Sequence, residues 1–117
     1  MPEVIPPKLT SIYSQFRQNQ GPKSSDAGVR VSFHHGEASG VHFKVNCGEY
    51  KEAIAQGIHD GMAAHFPDFL ERGSVWVTEI TEHAVDSSPR AFYLAARSVI
   101  EQAYIISQVK YDPSRLK

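Results

Sequence analysis

The chain has 117 residues, of which 41% are hydrophobic and 21% are charged, and its formal net charge at neutral pH is −1. This composition is that of an ordinary globular protein with enough apolar side chains for one core. A near-neutral balance counts against strong non-specific binding of nucleic acid, which needs a clear excess of Lys and Arg.

The cysteine count and the distribution of apolar residues indicate the cellular compartment. The single cysteine, Cys47, excludes an intrachain disulfide and is consistent with a reducing environment. No apolar run approaches the roughly 20 residues that span a bilayer, and the first eight residues lack the pattern of a signal peptide. We therefore expect a cytoplasmic protein without membrane contact.

The first 28 residues form three segments of different composition. Residues 1–8 hold three prolines, which predicts an extended arm. Residues 9–16 (LTSIYSQF) fit a strand or a short helix, and we favour a strand that pairs with the next patterned segment. Residues 17–28 (RQNQGPKSSDAG) have almost no apolar side chain and contain two glycines and a proline, which predicts an exposed loop.

Residues 29–45 show clear period-two alternation. In VRVSF and VHFKV, valine and phenylalanine alternate with polar residues on both sides of a glycine-containing link, HHGEASG. This pattern predicts an antiparallel hairpin with one buried face. Its other face would carry Arg30, His42 and Lys44.

A helix is predicted next, over residues 46–66, and Pro67 ends it. Its core face repeats at one-turn spacing and consists of Tyr50, Ile54, Ile58 and Met62. Gly57 and Gly61 each cost about 1 kcal/mol relative to alanine inside a helix. Close approach of the helix to the sheet or to another helix would explain both glycines.

The remaining elements are a strand, a corner and a second helix. Residues 74–81 (SVWVTEIT) are rich in β-branched residues and predict a strand. A polar corner follows, and Pro89 begins a long helix with Ser88 as its N-cap. Its buried face is formed by Phe92, Ala95, Ala96, Val99, Ala103 and Ile106. Residues 111–117 are predicted to form a loose tail.

The order of the predicted elements is strand, loop, two strands, helix, strand and helix. It predicts one α+β domain over residues 9–110, between the arm and the tail. We expect a two-layer α/β sandwich with a mostly antiparallel sheet of about four strands and two helices on one face.

Two sequence stretches resemble domain IV of translation elongation factor G. Residues 48–58 match its G-E-Y-x-x-A-x-x-x-G-I run, and residues 83–96 match its H-x-V-D-S-S-x-x-A-F-x-L-A-A run, in the same order and at similar separation. The resemblance covers about residues 9–107. It extends to the related tetracycline-resistance ribosomal protection proteins.

The resemblance implies a fold shared with the C-terminal domain of a small-subunit ribosomal protein, including a left-handed β-α-β crossover. It also implies a tip of two loops that reaches the decoding centre of the ribosome. In this sequence those loops would be residues 17–28 and the corner around His83. The chain departs from the family in the first loop, where the G-G-x-G-x-x-G pattern is missing.

Tip residues are therefore the candidate RNA contacts. An imidazole such as that of His83 can stack on a base or donate to a phosphate, although a solvent-facing loop residue is an equally good interpretation. Asp86 and Ser87 belong to the same run, where shaping the turn and capping the helix is the more common role. The polar side chains of the first loop suit RNA backbone contacts; these are Arg17, Gln18, Asn19, Gln20 and Lys23.

Other chemistry has less support. The histidines and glutamate at positions 34, 35, 37 and 42 do not match a zinc spacing, and we expect no metal. Cys47 lies near a helix start, where a thiol can be activated, but a packed core cysteine is the more common outcome. No G-x-x-x-x-G-K-[ST] loop occurs, so we expect neither GTP nor any other cofactor, and no catalytic residue.

The sequence supports one leading hypothesis and two alternatives. The first is a non-enzymatic domain that binds the ribosome or structured RNA through the tip and has no GTPase activity. The second is a protein-interaction module or homo-oligomer that uses the exposed sheet face without RNA. The third is an evolutionary fragment with a new small-molecule site.

Overall fold

Four strands and two long helices follow one another in a computed structural model that describes residues 11–20, 23–35, 39–82 and 87–110. For residues 17–20, 23–26, 35 and 108–110 it describes the backbone alone. The strands are β1 (Ser11–Gln20), β2 (Lys23–His35), β3 (Gly40–Phe43) and β4 (Gly73–Glu82). The helices are α1 (Lys51–His65) and α2 (Pro89–Lys110), and short 3-10 turns occupy Gly48–Tyr50 and Phe69–Glu71.

The four strands form one mixed sheet in the order β1-β2-β4-β3. β2 pairs antiparallel with both β1 and β4, and β3 pairs parallel with β4. Helix α1 is the crossover between the parallel strands β3 and β4. The predicted two-layer α+β fold is confirmed, and the handedness of the crossover stays a prediction.

The predicted hairpin of residues 29–45 is wrong, although both of its strands exist. β2 and β3 do not pair, because β4 lies between them and uses the facing edges of both. The true hairpin joins β1 to β2, with Ile12 opposite Val31 and Ser14 opposite Val29. Alternation showed that each segment is a strand with one buried face, but it contains no information about the partner strand.

The predicted loop over residues 17–28 is also wrong, because the two strands continue through most of it. β1 extends to Gln20 and β2 starts at Lys23, and their residues pair in register from Gln20 and Lys23 back to the core. Antiparallel backbone hydrogen bonds do not need apolar side chains, so a ribbon that extends beyond the core can have a loop-like composition.

The core lies between the sheet and the two helices. The core-facing side chains of β2 and β4 that are at most 1% exposed are Ala27, Val29, Val31, Phe33, Val75 and Val77. Helix α2 packs on β1 and β2, and α1 packs against α2 and β3. A bulge at Thr78, where Val31 faces Val77 but Arg30 faces Glu79, changes the alternation of β4 so that Ile80 also packs against the core.

The two glycines of α1 mark its contact with α2. A Cβ on Gly57 would clash with the backbone carbonyl of Tyr93 and lie 2.9 Å from the Cβ of Ala96. A Cβ on Gly61 would lie 2.8 Å from the Cβ of Ile100. The expected close approach is therefore confirmed, and it occurs between the helices.

The helix boundaries follow from local chemistry. The hydroxyl of Ser88 accepts a hydrogen bond from the backbone N–H of Ala91 at 3.1 Å, which confirms the predicted N-cap of α2. Helix α1 ends at His65, directly before Phe66 and Pro67. Among the described residues, no helix combines the length and the apolar character that crossing a membrane requires.

Candidate functional site at the ribbon end of the sheet

One end of the sheet carries the β1–β2 ribbon and the last residue of β4, from which the chain continues into the corner. Ala27 of β2 faces Glu82, the last residue of β4, and the β1–β2 ribbon continues for four further pairs beyond this point. At about 3.4 Å per residue, the ribbon extends about 14 Å past the end of β4. The chain leaves β4 at Glu82 and returns to the described residues at Ser87, so the corner starts beside the base of the ribbon.

The predicted site residues are distributed over these two segments. The backbones of Arg17, Gln18, Gln20 and Lys23 lie in the ribbon, where Arg17 faces Asp26 and Gln20 faces Lys23. Their side chains lie outside the described part of the structure, as does the whole of His83 and Asp86. Ser87 is half-buried just before the cap residue Ser88, which agrees with a role in the turn.

A depression of about 350 Å³ lies next to the corner. Its walls come from the loop before α1 and from the end of β4, and consist of residues 46–50, Ile80 and Glu82. The ring of Tyr50 packs on Phe92 with a centroid distance of 4.4 Å, and its hydroxyl donates to Oε1 of Glu82 at 3.3 Å. Burial, together with the negative charges of Glu82 and Glu49, raises the pKa of Tyr50.

The chemistry of this depression does not suit an anion. Glu49 and Glu82 bring two carboxylates to it. Phosphate groups would be repelled here. If this end of the sheet binds RNA, the contacts have to come from the ribbon and the corner.

Cys47, which also lines the depression, is a packed cysteine. It is 4% exposed, and its thiol lies 3.7 Å from the carbonyl oxygen of Val45. Burial raises the pKa of the thiol, and the smaller opposite effect of Lys51 does not cancel it. The interpretation of Cys47 as a core residue is therefore confirmed, and thiolate activation has no support.

The histidines of α1 and those of strands β2 and β3 lie in separate places. His59 is exposed, and His65 is half-buried and stacks on Tyr104 with a centroid distance of 4.6 Å. Within the described residues, no group of three His, Cys, Asp or Glu side chains is arranged to hold a metal ion. His34 and His42 both contact Trp76 on the open face of the sheet.

Sequence reasoning missed two arrangements. The Tyr50–Glu82 contact joins residues 32 positions apart, and no spacing rule connects them. The contacts of Trp76 were missed because β3 was paired with the wrong strand. Once β3 and β4 are parallel neighbours, His42 faces Trp76 directly.

Comparison with known proteins supports the fold. No protein-family model matches the chain, and no curated protein sequence matches it significantly. Among solved structures, a crystal structure of a protein from Thermus thermophilus matches with a TM-score of 0.62 and 21% sequence identity. The match covers 87% of this chain but only 16% of the Thermus chain. The fold therefore also occurs as one domain-sized part of a larger protein.

Proposed function

We propose that this chain is a domain of the elongation factor G domain IV type, which binds the ribosome or structured RNA through its ribbon end. The observation that carries the proposal is the position of two segments at one end of the sheet. The ribbon of residues 17–20 and 23–26 begins beside Glu82, the residue from which the chain continues into the corner, because Ala27 faces Glu82 in the register of β2 and β4.

The composition of these segments supports RNA contact. The ribbon provides the cations Arg17 and Lys23 together with the side-chain amides of Gln18, Asn19 and Gln20. Such groups are the usual partners of phosphate and sugar oxygens. His83 adds an imidazole that can stack on an unpaired base. A narrow ribbon also enters grooves and channels from which a globular surface is excluded.

The proposed activity is binding without catalysis. The sequence lacks a phosphate-binding glycine loop, so hydrolysis of GTP is not part of the function. Because ribosomes are the proposed partner, the proposal places the protein in the cytoplasm. Binding through two cations and a few polar groups would be weaker than that of strongly basic RNA-binding domains.

Co-sedimentation with purified ribosomes at about 50 and 200 mM salt tests the proposal. We expect the protein to pellet with ribosomes at low salt and to dissociate as salt rises. The variant His83→Ala and the double variant Arg17→Gln, Lys23→Gln should bind more weakly than the unmodified protein. His59→Ala is the matched control, since His59 is exposed on α1. Absence of binding at both salt concentrations would refute ribosome binding, and loss of binding in the His59 variant alone would refute the ribbon end as the site.

A further inference from the structure

The open face of the sheet, opposite the helices, carries an aromatic and basic cluster. Trp76 of β4 faces Ser32 of β2 on one side and His42 of β3 on the other. His34 lies two residues after Ser32 along β2, and Lys44 directly follows the end of β3. We refer to His34, His42, Lys44 and Trp76 as the Trp76 cluster.

The contacts within the Trp76 cluster centre on the indole ring. The His42 ring stacks on it with a centroid distance of 4.6 Å and an interplanar angle of 23°. The ammonium of Lys44 lies 5.5 Å from the indole centroid, and the His34 ring meets it edge-on at 6.0 Å. The indole N–H donates to Oγ of Ser74 at 2.9 Å, which fixes the orientation of the ring.

The exposure of these side chains leaves the cluster accessible to a partner. Lys44 is exposed, whereas His34, His42 and Trp76 are half-buried. Among the described residues of this face, the carboxylate is that of Glu79, which lies at the next row along β2 and pairs with Arg30 at 3.0 Å. Lys44 instead lies over an aromatic ring. A cation next to stacked, partly exposed rings is complementary to a phosphate attached to a base.

We propose that the Trp76 cluster is a binding site for single-stranded RNA. A base stacks on the exposed part of the His42–Trp76 pair, and the ammonium of Lys44 contacts the adjoining phosphate. Open sheet faces with ring platforms suit unpaired bases, because every base has a face that can stack and no duplex groove has to be entered. This site is independent of the ribbon end, since Trp76 lies opposite Ser32, five residues or about 17 Å along β2 from Ala27.

A purely structural role is the competing explanation. The stacked pair joins the short edge strand β3 to β4, and cross-strand aromatic pairs stabilise sheets without any ligand. A protein partner is another, because exposed rings also occur at protein interfaces. The two explanations and the proposal predict different changes in the fluorescence of Trp76 when RNA is added.

Trp76 is the only tryptophan of the chain, so its fluorescence reports directly on the proposed site. We expect titration with an unlabelled ten-nucleotide single-stranded RNA at about 50 mM salt to quench this fluorescence to saturation. A duplex of the same length should quench it little. Rising salt should weaken binding, because phosphate contacts release counterions.

Two substitutions and one matched control assign the site. Lys44→Gln should weaken binding and reduce the slope of log affinity against log salt by roughly 0.7, the value for one phosphate on a single strand. His42→Ala should weaken binding about fivefold or more by removing the stacking surface. Lys51→Gln is the control, because the Lys51 ammonium also lies over a ring, that of Phe43 at 5.3 Å, but belongs to α1. It should bind like the unmodified protein.

Three results would overturn the proposal. The first is that RNA leaves the fluorescence of Trp76 unchanged, and the second is that Lys44→Gln and Lys51→Gln weaken RNA binding equally. The third is that, without RNA, the fluorescence of Trp76 changes with protein concentration as dimers form. A structural role alone predicts that His42→Ala lowers the urea midpoint while RNA has no effect. His83→Ala should leave this titration unchanged, so failure here is distinguishable from failure of ribosome binding at the ribbon end.

Discussion

The helix-covered face and the open face of the sheet are built from alternate residues of the same strands, but they use them differently. On the covered face, Val31 and Val77 face each other without any solvent exposure. On the open face, one residue away, Arg30 pairs with Glu79 and lies 5.2 Å from the ring of Tyr13. Side-chain volume therefore determines which residues fit the covered face. On the open face, the side chains are held by charge and ring contacts that are also exposed to water.

This difference indicates where the chain can tolerate change. A packed layer leaves no room for an extra methyl group, whereas exposed cations and rings can be exchanged at little cost in stability. Function that depends on the open face or on the ribbon is then separable from folding. Three predictions test that separation, starting with the largest expected effect.

Gly57→Ala should destabilise the protein by about 1 to 3 kcal/mol, because the new Cβ clashes with the Tyr93 carbonyl and helices α1 and α2 have to separate. The effect opposes helix propensity, which favours alanine by about 1 kcal/mol. Urea unfolding gives the free energy. Ala63→Gly, at an exposed position of the same helix, should lose only the propensity difference. A higher midpoint for Gly57→Ala would show that the helix layer is not closely packed.

On the open face, Arg30 and Glu79 should be coupled by only about 0.2 to 1 kcal/mol, because the two side chains are 39% and 56% exposed and water screens their charges. A double-mutant cycle with Arg30→Gln and Glu79→Gln, measured by urea unfolding, gives the coupling energy. It should decrease further in high salt. A coupling of several kcal/mol that persists in salt would contradict the contrast between the two faces.

The outer surface of the helices provides the third test. The hydroxyl of Tyr93 on α2 donates a hydrogen bond to the carboxylate of Asp60 on α1. This hydrogen bond and, to a smaller extent, the one from Gln56 lower the pKa of Asp60 below its ordinary value of 3.8. A carboxyl that is more acidic in the folded state stabilises the fold at neutral pH. That contribution is lost as pH falls from about 5 through 3.8 and then through the folded pKa.

Tyr93→Phe should consequently reduce the dependence of Tm on pH below about pH 5, because the largest cause of the shift is removed. Thermal unfolding at a series of pH values measures this. Tyr104→Phe on the same helix keeps the Asp60 hydrogen bonds and should reproduce the unmodified acid profile. Identical profiles for all three proteins would mean that the Tyr93–Asp60 bond does not persist in solution.

Much of the fold could be predicted because burial imposes a period on the sequence. The Ser88 cap, the glycine contacts and the predicted buried positions of both helices follow from local spacing and are confirmed, except that Ile106 is half-buried. Ile100, which is fully buried, was missed. The pairing of β3 could not be predicted in this way. Its partner β4 begins 30 residues after β3 ends, and alternation within VHFKV is the same whichever strand lies beside it.

The ribbon and the candidate site illustrate a second limit. Residues 17–20 and 23–26 pair beyond the end of β4 and have no apolar side chain, so the sequence shows no hydrophobic pattern there, and Gly21 and Pro22 predict a loop instead. The contact between Tyr50 and Glu82, and that between His42 and Trp76, depends on which chain segments meet in space. The RNA contacts assigned to His83, Asp86, Arg17, Gln18, Gln20 and Lys23 stay predictions.

The inner position of β4 in the sheet affects how the chain folds during its synthesis. The hairpin of β1 and β2 is local and can form as soon as both strands exist, but β4 follows the other described strands in sequence and lies between two of them. During synthesis, the edges of β2 and β3 that β4 will occupy keep unpaired backbone groups until residue 82 has emerged. A nascent chain stalled before that point would expose two unpaired strand edges, so the risk of aggregation is greatest between the emergence of β3 and that of β4.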